Sequence, residues 1–300
     1  MFTGTKEYTG EKTMELVNGP GTLYLCATPI GNLKDITERV LETLRTVDII
    51  AAEDTRNSLK LLTHFDIKVP LTSYHEYNKY DKANELIDKM LQGKNVALIT
   101  DAGTPAISDP GEVIARMCRE AGIRVTSLPG ACAMITALSM SGISSRRFCF
   151  EGFLPPDKKI RKEILTELEN ESRTIIIYES PHHLVATLKE LNEHLHNRNL
   201  AICRELTKKF EEVRYMFLEE AIRYYENADI KGEFVLVIEG MDRNELKSRA
   251  EDEWKSMDLK SHMEVYEKMG LDRKECMKRV AKDRGITKRD VYEQLLNIKE

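Results

Sequence analysis

Two short stretches of the 300-residue chain concentrate side chains that exchange protons. "AAEDTR" places Glu53, Asp54 and Arg56 directly after the apolar run Asp48–Ala52. "SYHEYNK" places His75, Glu76 and Asn78 at the end of Val69–Tyr74. Carboxylates and imidazoles are the usual general acids and bases, and histidine titrates nearest to neutral pH. Each stretch also has a purely structural reading. An acidic residue before a helix caps it, and a lone histidine is usually a packing residue. A His, a Glu and an Asn together at a strand end are less easily explained that way.

A second kind of chemistry is suggested by loops crowded with proline and glycine. "ITDAGTPAISDPG" (Ile99–Gly111) follows the apolar run Val96–Ile99, "ATPIGNLKD" follows Leu23–Ala27, and "SLPGACA" follows Arg124–Leu128. Glycine lets the backbone approach a ligand or take a positive φ, and proline stiffens the turn while removing an N–H donor. In an open α/β sheet, ligands bind beyond the carboxyl ends of the strands. Three such loops on one sheet edge therefore imply a cleft. The second half of the first loop has an alternative use, with Asp109 as helix N-cap and Pro110 at the first helical position. A P-loop, a G-x-G-x-x-G fingerprint and an H-E-x-x-H zinc pattern are all missing from the sequence.

The elements that must position these residues follow from periodicity. Strands are expected at Leu23–Ala27, Asp48–Ala52, Val69–Tyr74, Val96–Thr100 and Arg124–Leu128, with helices at Asp35–Arg45, Asn84–Leu91 and Val113–Arg119. Near-continuous apolar strands alternating with amphipathic helices predict a parallel sheet covered on both faces. From about Ala131 the rhythm changes. Helices at Ala131–Ser141, Ile160–Glu169 and Leu184–Leu195 are interleaved with strands at Phe148–Leu154, Thr174–Tyr178, Leu200–Arg204, Val213–Leu218 and Phe234–Ile238, which predicts a second, mixed α+β domain. The expected division is a polar extension at 1–19, an α/β domain at 20–130, an α+β domain at 131–240 and a charged helical module at 241–300, with a hinge near Pro129-Gly130. In that module a helix Lys274–Asp283 stops at Gly285, and Thr287 caps a helix Lys288–Leu296. Helix, short turn, helix is the helix-turn-helix pattern, which is equally a small packing hairpin.

The net charge of −5, from 45 basic and 50 acidic residues, argues against a globally basic nucleic-acid binder but permits a local basic face. Lys158, Lys159, Arg161 and Lys162 form one basic run, read either as a track for an RNA backbone or as a solvated helix start. The six cysteines include no C-x-x-C pair and lie mostly in apolar runs, as expected of reduced thiols in a cytoplasmic protein. No apolar run approaches the length of a membrane span, about 20 residues.

Eight motifs occur together in a fixed order: "TPIGNLKDIT", "EDTR", "YHEYN", "TDAGTPAISDPG", "LPGACA", "YESPHH", "RELTKKFEE" and "GEFVLVIEG". In this the chain resembles the ribosomal small-subunit methyltransferase I group of the tetrapyrrole-methylase superfamily, over roughly Gly21–Gly240. The resemblance implies a two-domain tetrapyrrole-methylase-like α/β fold with a small C-terminal helical module. It implies S-adenosylmethionine (S-adenosyl-L-methionine) held in a cleft between the domains, no metal, and 2′-O-methylation of a cytidine ribose in 16S rRNA near the decoding centre. The partners implied are 16S rRNA in the small ribosomal subunit and a second copy of the chain, as a homodimer. The Gly103-Thr104-Pro105 triplet stands where corrinoid and sirohaem enzymes commonly carry Gly-Asp-Pro, which favours the RNA branch. A tetrapyrrole methyltransferase and a non-catalytic ribosome-associated protein are the alternatives.

Carried over motif by motif, Pro29, Gly31, Asp101, Gly103, Thr104, Ile107, Ser108, Pro129, Gly130 and Ala131 contact the cofactor from the first domain. Tyr178, Glu179, Gly232 and Glu233 close its other side. Asp54, His75 and Glu76 are the candidates for accepting the ribose proton, and Arg56 for steadying a phosphate.

Overall fold

A computed structural model describes residues 19–297. Residues 1–18, nearly all of the expected N-terminal extension, lie outside the described residues, as do 298–300. Packing groups the chain into two compact units. The first holds the chain up to Met140 together with 203–213 and 232–235, and the second holds 141–202, 214–231 and everything from Leu236 onward.

The first unit is built on strands β1 (Thr22–Cys26), β2 (Ile49–Ala52), β3 (Leu71–Ser73), β4 (Val96–Ile99) and β5 (Arg124–Leu128). Their order is β3-β2-β4-β1-β5, and every pairing is parallel. Alternation along the strands divides the core in two, because successive side chains point to opposite faces. Ala51 and Leu98 pack with Leu86 and Met90 of α3 (Lys79–Leu91) and Ile114 of α4 (Gly111–Glu120). Ile50, Ala52, Ala97 and Ile99 pack with Val40 and Leu44 of α1 (Glu38–Thr46) and Leu62 of α2 (Thr55–His64). Each buried Leu or Ile of this kind contributes about 1.5–3 kcal/mol relative to exposure. The parallel arrangement brings the carboxyl ends of all five strands to one edge. A further helix, α5 (Ala133–Ser141), follows β5.

The expected strands match the observed ones to within one or two residues, except that β3 is only three residues long. Helix α2 is an addition, because only Ser58 and Leu62 on it are buried and its apolar spacing is therefore sparse. Asp54 is its N-cap, accepting from the Arg56 N–H at 2.8 Å, so the capping alternative for "EDTR" is realised. The cap of α4 differs by one residue from expectation. Pro110 occupies the N-cap position, while Asp109 reaches past it to accept from the N–H groups of Gly111 (3.0 Å) and Ala106 (2.7 Å).

The second sheet has the order β6-β7-β10-β8-β9, formed by β6 (Phe148–Phe153), β7 (Thr174–Glu179), β8 (Asn199–Arg204), β9 (Glu212–Phe217) and β10 (Phe234–Ile238). Helices α6 (Lys158–Leu168), α7 (Leu184–Leu195) and α8 (Leu218–Tyr225) accompany it, and β10 is buried at every position. Four helices complete the second unit: α9 (Arg243–Ser256), α10 (Leu259–Lys268), α11 (Arg273–Asp283) and α12 (Lys288–Asn297). Leu259, Met263, Cys276, Val280, Ala281 and Val291 form their own small core. The turn into α12 is a capping box with Asp in place of Glu. Thr287 Oγ1 accepts from the Asp290 N–H at 3.2 Å, and the Asp290 carboxylate accepts from the Thr287 N–H at 2.9 Å.

All six cysteines are free. Burial pushes the thiols of Cys26, Cys118 and Cys203 up to about 12 and that of Cys149 up to about 11. No helix among the described residues is long and apolar enough to cross a membrane.

Candidate active site

Within the first unit, a cavity of about 450 Å³ opens at the carboxyl edge of the sheet. The loop after β1 supplies Thr28, Pro29, Ile30, Gly31 and Leu33, and α2 supplies Asn57, Lys60, Leu61 and His64. The loop after β4 supplies Thr100, Asp101 and Ala102, and two distant residues, Lys208 and Glu233, complete the lining. The walls therefore pair apolar surface with carboxylates and cations.

Of the residues expected at a cofactor, Pro29, Gly31, Asp101 and Glu233 line this cavity. Asp101 also organises it. Its carboxylate accepts from the Asp54 N–H (3.3 Å) and from Asn57 Nδ2 (3.2 Å), so the end of β4 holds the start of α2. Gly103 exchanges two backbone hydrogen bonds with Thr28, at 2.9 and 3.1 Å, and takes φ +89, a conformation that favours glycine. Thr104 Oγ1 donates to the Ala131 carbonyl at 3.1 Å, which joins the loop after β4 to the Pro129-Gly130-Ala131 loop after β5. Ile107 and Ser108 are exposed, and Ala106 and Ser108 both have positive φ. Backbone strain of this sort in non-glycine residues persists only where surrounding bonds hold it, and it clusters at ligand sites. Here the Asp109 carboxylate is the clamp.

The proton-exchanging candidates have distinct environments. Asp54 grips the Arg56 guanidinium through two contacts, at 3.1 and 2.8 Å, and these bonds draw its carboxyl down to about 2. Arg56 is itself exposed, but that ion pair occupies it. Glu76 is exposed and paired with Lys79. The His75 backbone N–H donates to Asn78 Oδ1 at 2.8 Å, and its ring Nδ1 is buried with no hydrogen-bond partner. Glu53, which sequence reading placed in the right stretch but not among the candidates, accepts from Thr100 Oγ1 at 3.0 Å. Burial, with Asp101 and Asp109 nearby, raises its carboxyl. Asp109 is likewise raised by burial.

Lys208 is a second addition. Its ammonium donates to Glu205 at 2.8 Å and to Glu233 at 2.7 Å. Glu205 also accepts from the Glu233 N–H at 3.0 Å, so the "RELTKKFEE" loop is pinned to Gly232-Glu233. Lys208 lies so close to Gly31 that any Cβ there would overlap its Cγ. Thr207 Oγ1, next to it, is buried and unpartnered. The spacing of Lys208 within its motif gave no hint of this placement, which depends on a segment far away in the chain.

Residues 22–222 match the family described as Tetrapyrrole (Corrin/Porphyrin) Methylases. The chain belongs to the tetrapyrrole methylase family. Curated relatives named Ribosomal RNA small subunit methyltransferase I include one from Halalkalibacterium halodurans, 49% identical over 91% of this chain and 93% of that protein. Those from Bacillus subtilis (45%; 91% and 93%) and Synechocystis (44%; 93% and 98%) are similarly co-extensive. Among solved structures, diphthine synthase matches with TM-score 0.57 at 14% identity, covering 73% of this chain and 90% of that one. Uroporphyrin-III C-methyltransferase from Thermus thermophilus, complexed with S-adenyl homocysteine, matches with TM-score 0.53 at 15% identity over 73% and 97%. At these identities the likeness establishes the tetrapyrrole methylase fold.

The remaining expected site residues belong to the second unit of this tetrapyrrole methylase. Tyr178 packs edge-on against Phe150 and Phe153. Glu179 is buried, bound by Thr187 Oγ1 and by the Ser180 N–H at 2.6 Å. The basic run divides. Lys158, Lys159 and Lys162 are exposed at the start of α6, where Asp157 caps the helix. Arg161 turns inward, donating to Glu190 (2.6 Å), Thr187 Oγ1 (2.7 Å) and the Leu154 carbonyl (3.4 Å), with its side chain only 15% exposed. It is thereby a structural residue, tied through Thr187 to Glu179.

Proposed function

We propose that this protein methylates small-subunit ribosomal RNA with S-adenosylmethionine as donor, at the 2′-oxygen of a cytidine near the decoding centre. The observation that carries the reading is co-extensive identity of 44–49% with ribosomal RNA small subunit methyltransferase I proteins. The first unit fits the donor chemically. Pro29, Ile30, Leu33 and Leu61 offer apolar wall for an adenine ring, and the Asp101 and Glu233 carboxylates suit a cationic ligand. S-adenosylmethionine supplies an already activated methyl group, so the chain must align the acceptor oxygen and take one proton.

His75 suits that last task better than Asp54 or Glu76. A carboxyl near 2 is a weak base at neutral pH, and Glu76 is committed to Lys79. A buried ring nitrogen without a partner costs about 1–3 kcal/mol, a burden a purely structural histidine would shed. Glu53, raised by burial, is the next acceptor along the same edge. Lys158, Lys159 and Lys162 remain as candidate contacts to RNA, and Arg161 leaves the set. The reading includes a cytoplasmic location and a homodimer, and sedimentation of the purified protein tests the dimer.

The deciding experiment incubates the protein with methyl-labelled S-adenosylmethionine and unmodified small subunits, then maps the label. Methyl on a cytidine 2′-oxygen is the expected result. Label on a base would refute the 2′-O assignment, transfer only to a porphyrinoid would place the protein in the tetrapyrrole branch, and absence of donor binding would make it non-catalytic.

A further inference from the structure

Helix α11 carries Lys274, Lys278 and Lys282 at intervals of four residues, so they form one row along the helix, successive side chains about 6 Å apart. All three are exposed. The opposite side of α11 is fully used, since Cys276, Val280 and Ala281 pack into the small core with Leu259, Met263 and Val291. The helix is therefore held with its lysine row turned to solvent.

The charges at the two ends of the row are not spent inside the module, and the middle one is paired only with Glu275. Of the acids on α11, Asp283 is committed to Tyr266 and His262, and Glu275 stands 3.6 Å from Lys278 and 3.9 Å from Arg279. Asp272 caps the helix by accepting from the Glu275 N–H at 2.8 Å. No described acid pairs with Lys274 or Lys282 in the structure. Lys274 is moreover in the first turn, where the helix dipole disfavours a cation by about 0.3–1 kcal/mol. An evenly spaced row of exposed ammonium groups, unpaired at both ends and paired at its middle only with Glu275 at 3.6 Å, complements a strand of regularly spaced phosphates, which releases counterions when such a row docks on it.

We infer that Lys274, Lys278 and Lys282 of α11 form a docking row for the phosphate backbone of RNA, outside the cavity of the first unit. The inference rests on the reading that the substrate is ribosomal RNA. It assigns the row affinity without base specificity, because phosphate contacts position and do not read sequence.

The test compares the wild type with Lys274→Gln/Lys278→Gln/Lys282→Gln for binding to transcribed 16S rRNA across about 50–200 mM salt, with assembled small subunits in parallel. Each phosphate contact contributes about 0.7–0.9 to the slope of log K against log salt. The triple variant is expected to flatten that slope by about 2–3 and to lose affinity most at low salt, while its affinity for S-adenosylmethionine stays at the wild-type value. Far-UV circular dichroism and Trp254 emission establish that the module is intact in the variant. An unchanged slope on naked rRNA, with the module intact, overturns the inference. So does weakened binding to assembled subunits alone, which would assign the row to a ribosomal protein. A wild type that binds neither RNA nor subunits fails the functional reading itself, a result distinct from either.

Discussion

Replacing Gly103 with alanine separates backbone strain from steric exclusion at the candidate cofactor loop. The φ of +89 is one that L-residues adopt at a cost of about 1–2 kcal/mol. The added Cβ would stand 3.4 Å from Ile30 Cγ2 and 3.8 Å from the Ala131 carbonyl oxygen, so space is not the obstacle. The cost is then almost wholly conformational. For a unit of this size, about 1–2 kcal/mol lowers the melting temperature by roughly 2–8 °C. Valine adds two γ carbons beside Ile30, which lines the cavity, and overpacking adds about 1–3 kcal/mol. The two Thr28–Gly103 backbone bonds are the first to yield, and both loops they join border the cavity. Gly103→Val is therefore expected to fold, melt lower than Gly103→Ala, and bind S-adenosylmethionine at least about tenfold more weakly, since a shift of 1.4 kcal/mol is tenfold. Scanning calorimetry and titration calorimetry read the two effects separately. Wild-type melting in the alanine variant would refute the strain argument, and wild-type donor affinity in the valine variant would refute the assignment of the loop.

Further expectations concern residues whose roles the structure distinguishes. Arg161→Ala should destabilise the protein by about 2–4 kcal/mol, because it strips Glu190 of its ion-pair partner and removes a charged donor from the buried Thr187 hydroxyl, whereas Lys162→Ala should leave chemical denaturation unchanged and weaken RNA binding. Equal stability of the two variants would count against the inward role of Arg161. His75→Ala should lower single-turnover methylation by about 10²–10⁴-fold with donor affinity unchanged, while Asp54→Ala should act mainly on KM; a wild-type rate in His75→Ala would pass the role to Glu53. The C-terminal helices should weaken in acid. His262 is fully buried, accepting from Arg284 Nε at 3.1 Å with its other nitrogen 3.3 Å from Asp283, and burial followed by the Arg284 charge lowers its pKa below the usual 6.5. The unfolded chain then takes up the proton first, so stability is full above about pH 6.5 and is lost as pH falls toward the depressed folded value. Trp254, stacked on His262 at 4.1 Å, should report this as an earlier melt at pH 5 than at pH 7.5, absent in His262→Gln; identical melts in the wild type would exclude it.

Strands β4 and β10 were legible because strands buried at every position are continuous apolar runs bounded by turn residues. The Thr287 cap was legible because its partner is three residues away. What escaped depends on partners remote in sequence. Arg161 is indistinguishable from Lys158, Lys159 and Lys162 by composition, and only Glu190 and Thr187 on α7 turn it inward. Glu53 owes its raised carboxyl to burial and to the charges of Asp101 and Asp109, on the loop beyond the neighbouring strand. Lys208 meets Gly31 across most of the first unit's sequence. Helix α2 escaped for another reason: only Ser58 and Leu62 on it are buried, so few apolar positions mark its inner face.

The burial of the thiols has a consequence for how opening of the molecule can be timed. A thiol whose pKa lies near 12 is almost never a thiolate at neutral pH, and only the thiolate attacks an alkylating reagent. Cys26 sits in the core beneath α1 and α2, Cys118 in the core on the opposite face of the same sheet, and Cys276 among the C-terminal helices. Each therefore reacts at the rate at which its own layer exposes it. The order in which the three are alkylated is a clock with three hands, recording which core loosens first and whether the two faces of one sheet part together.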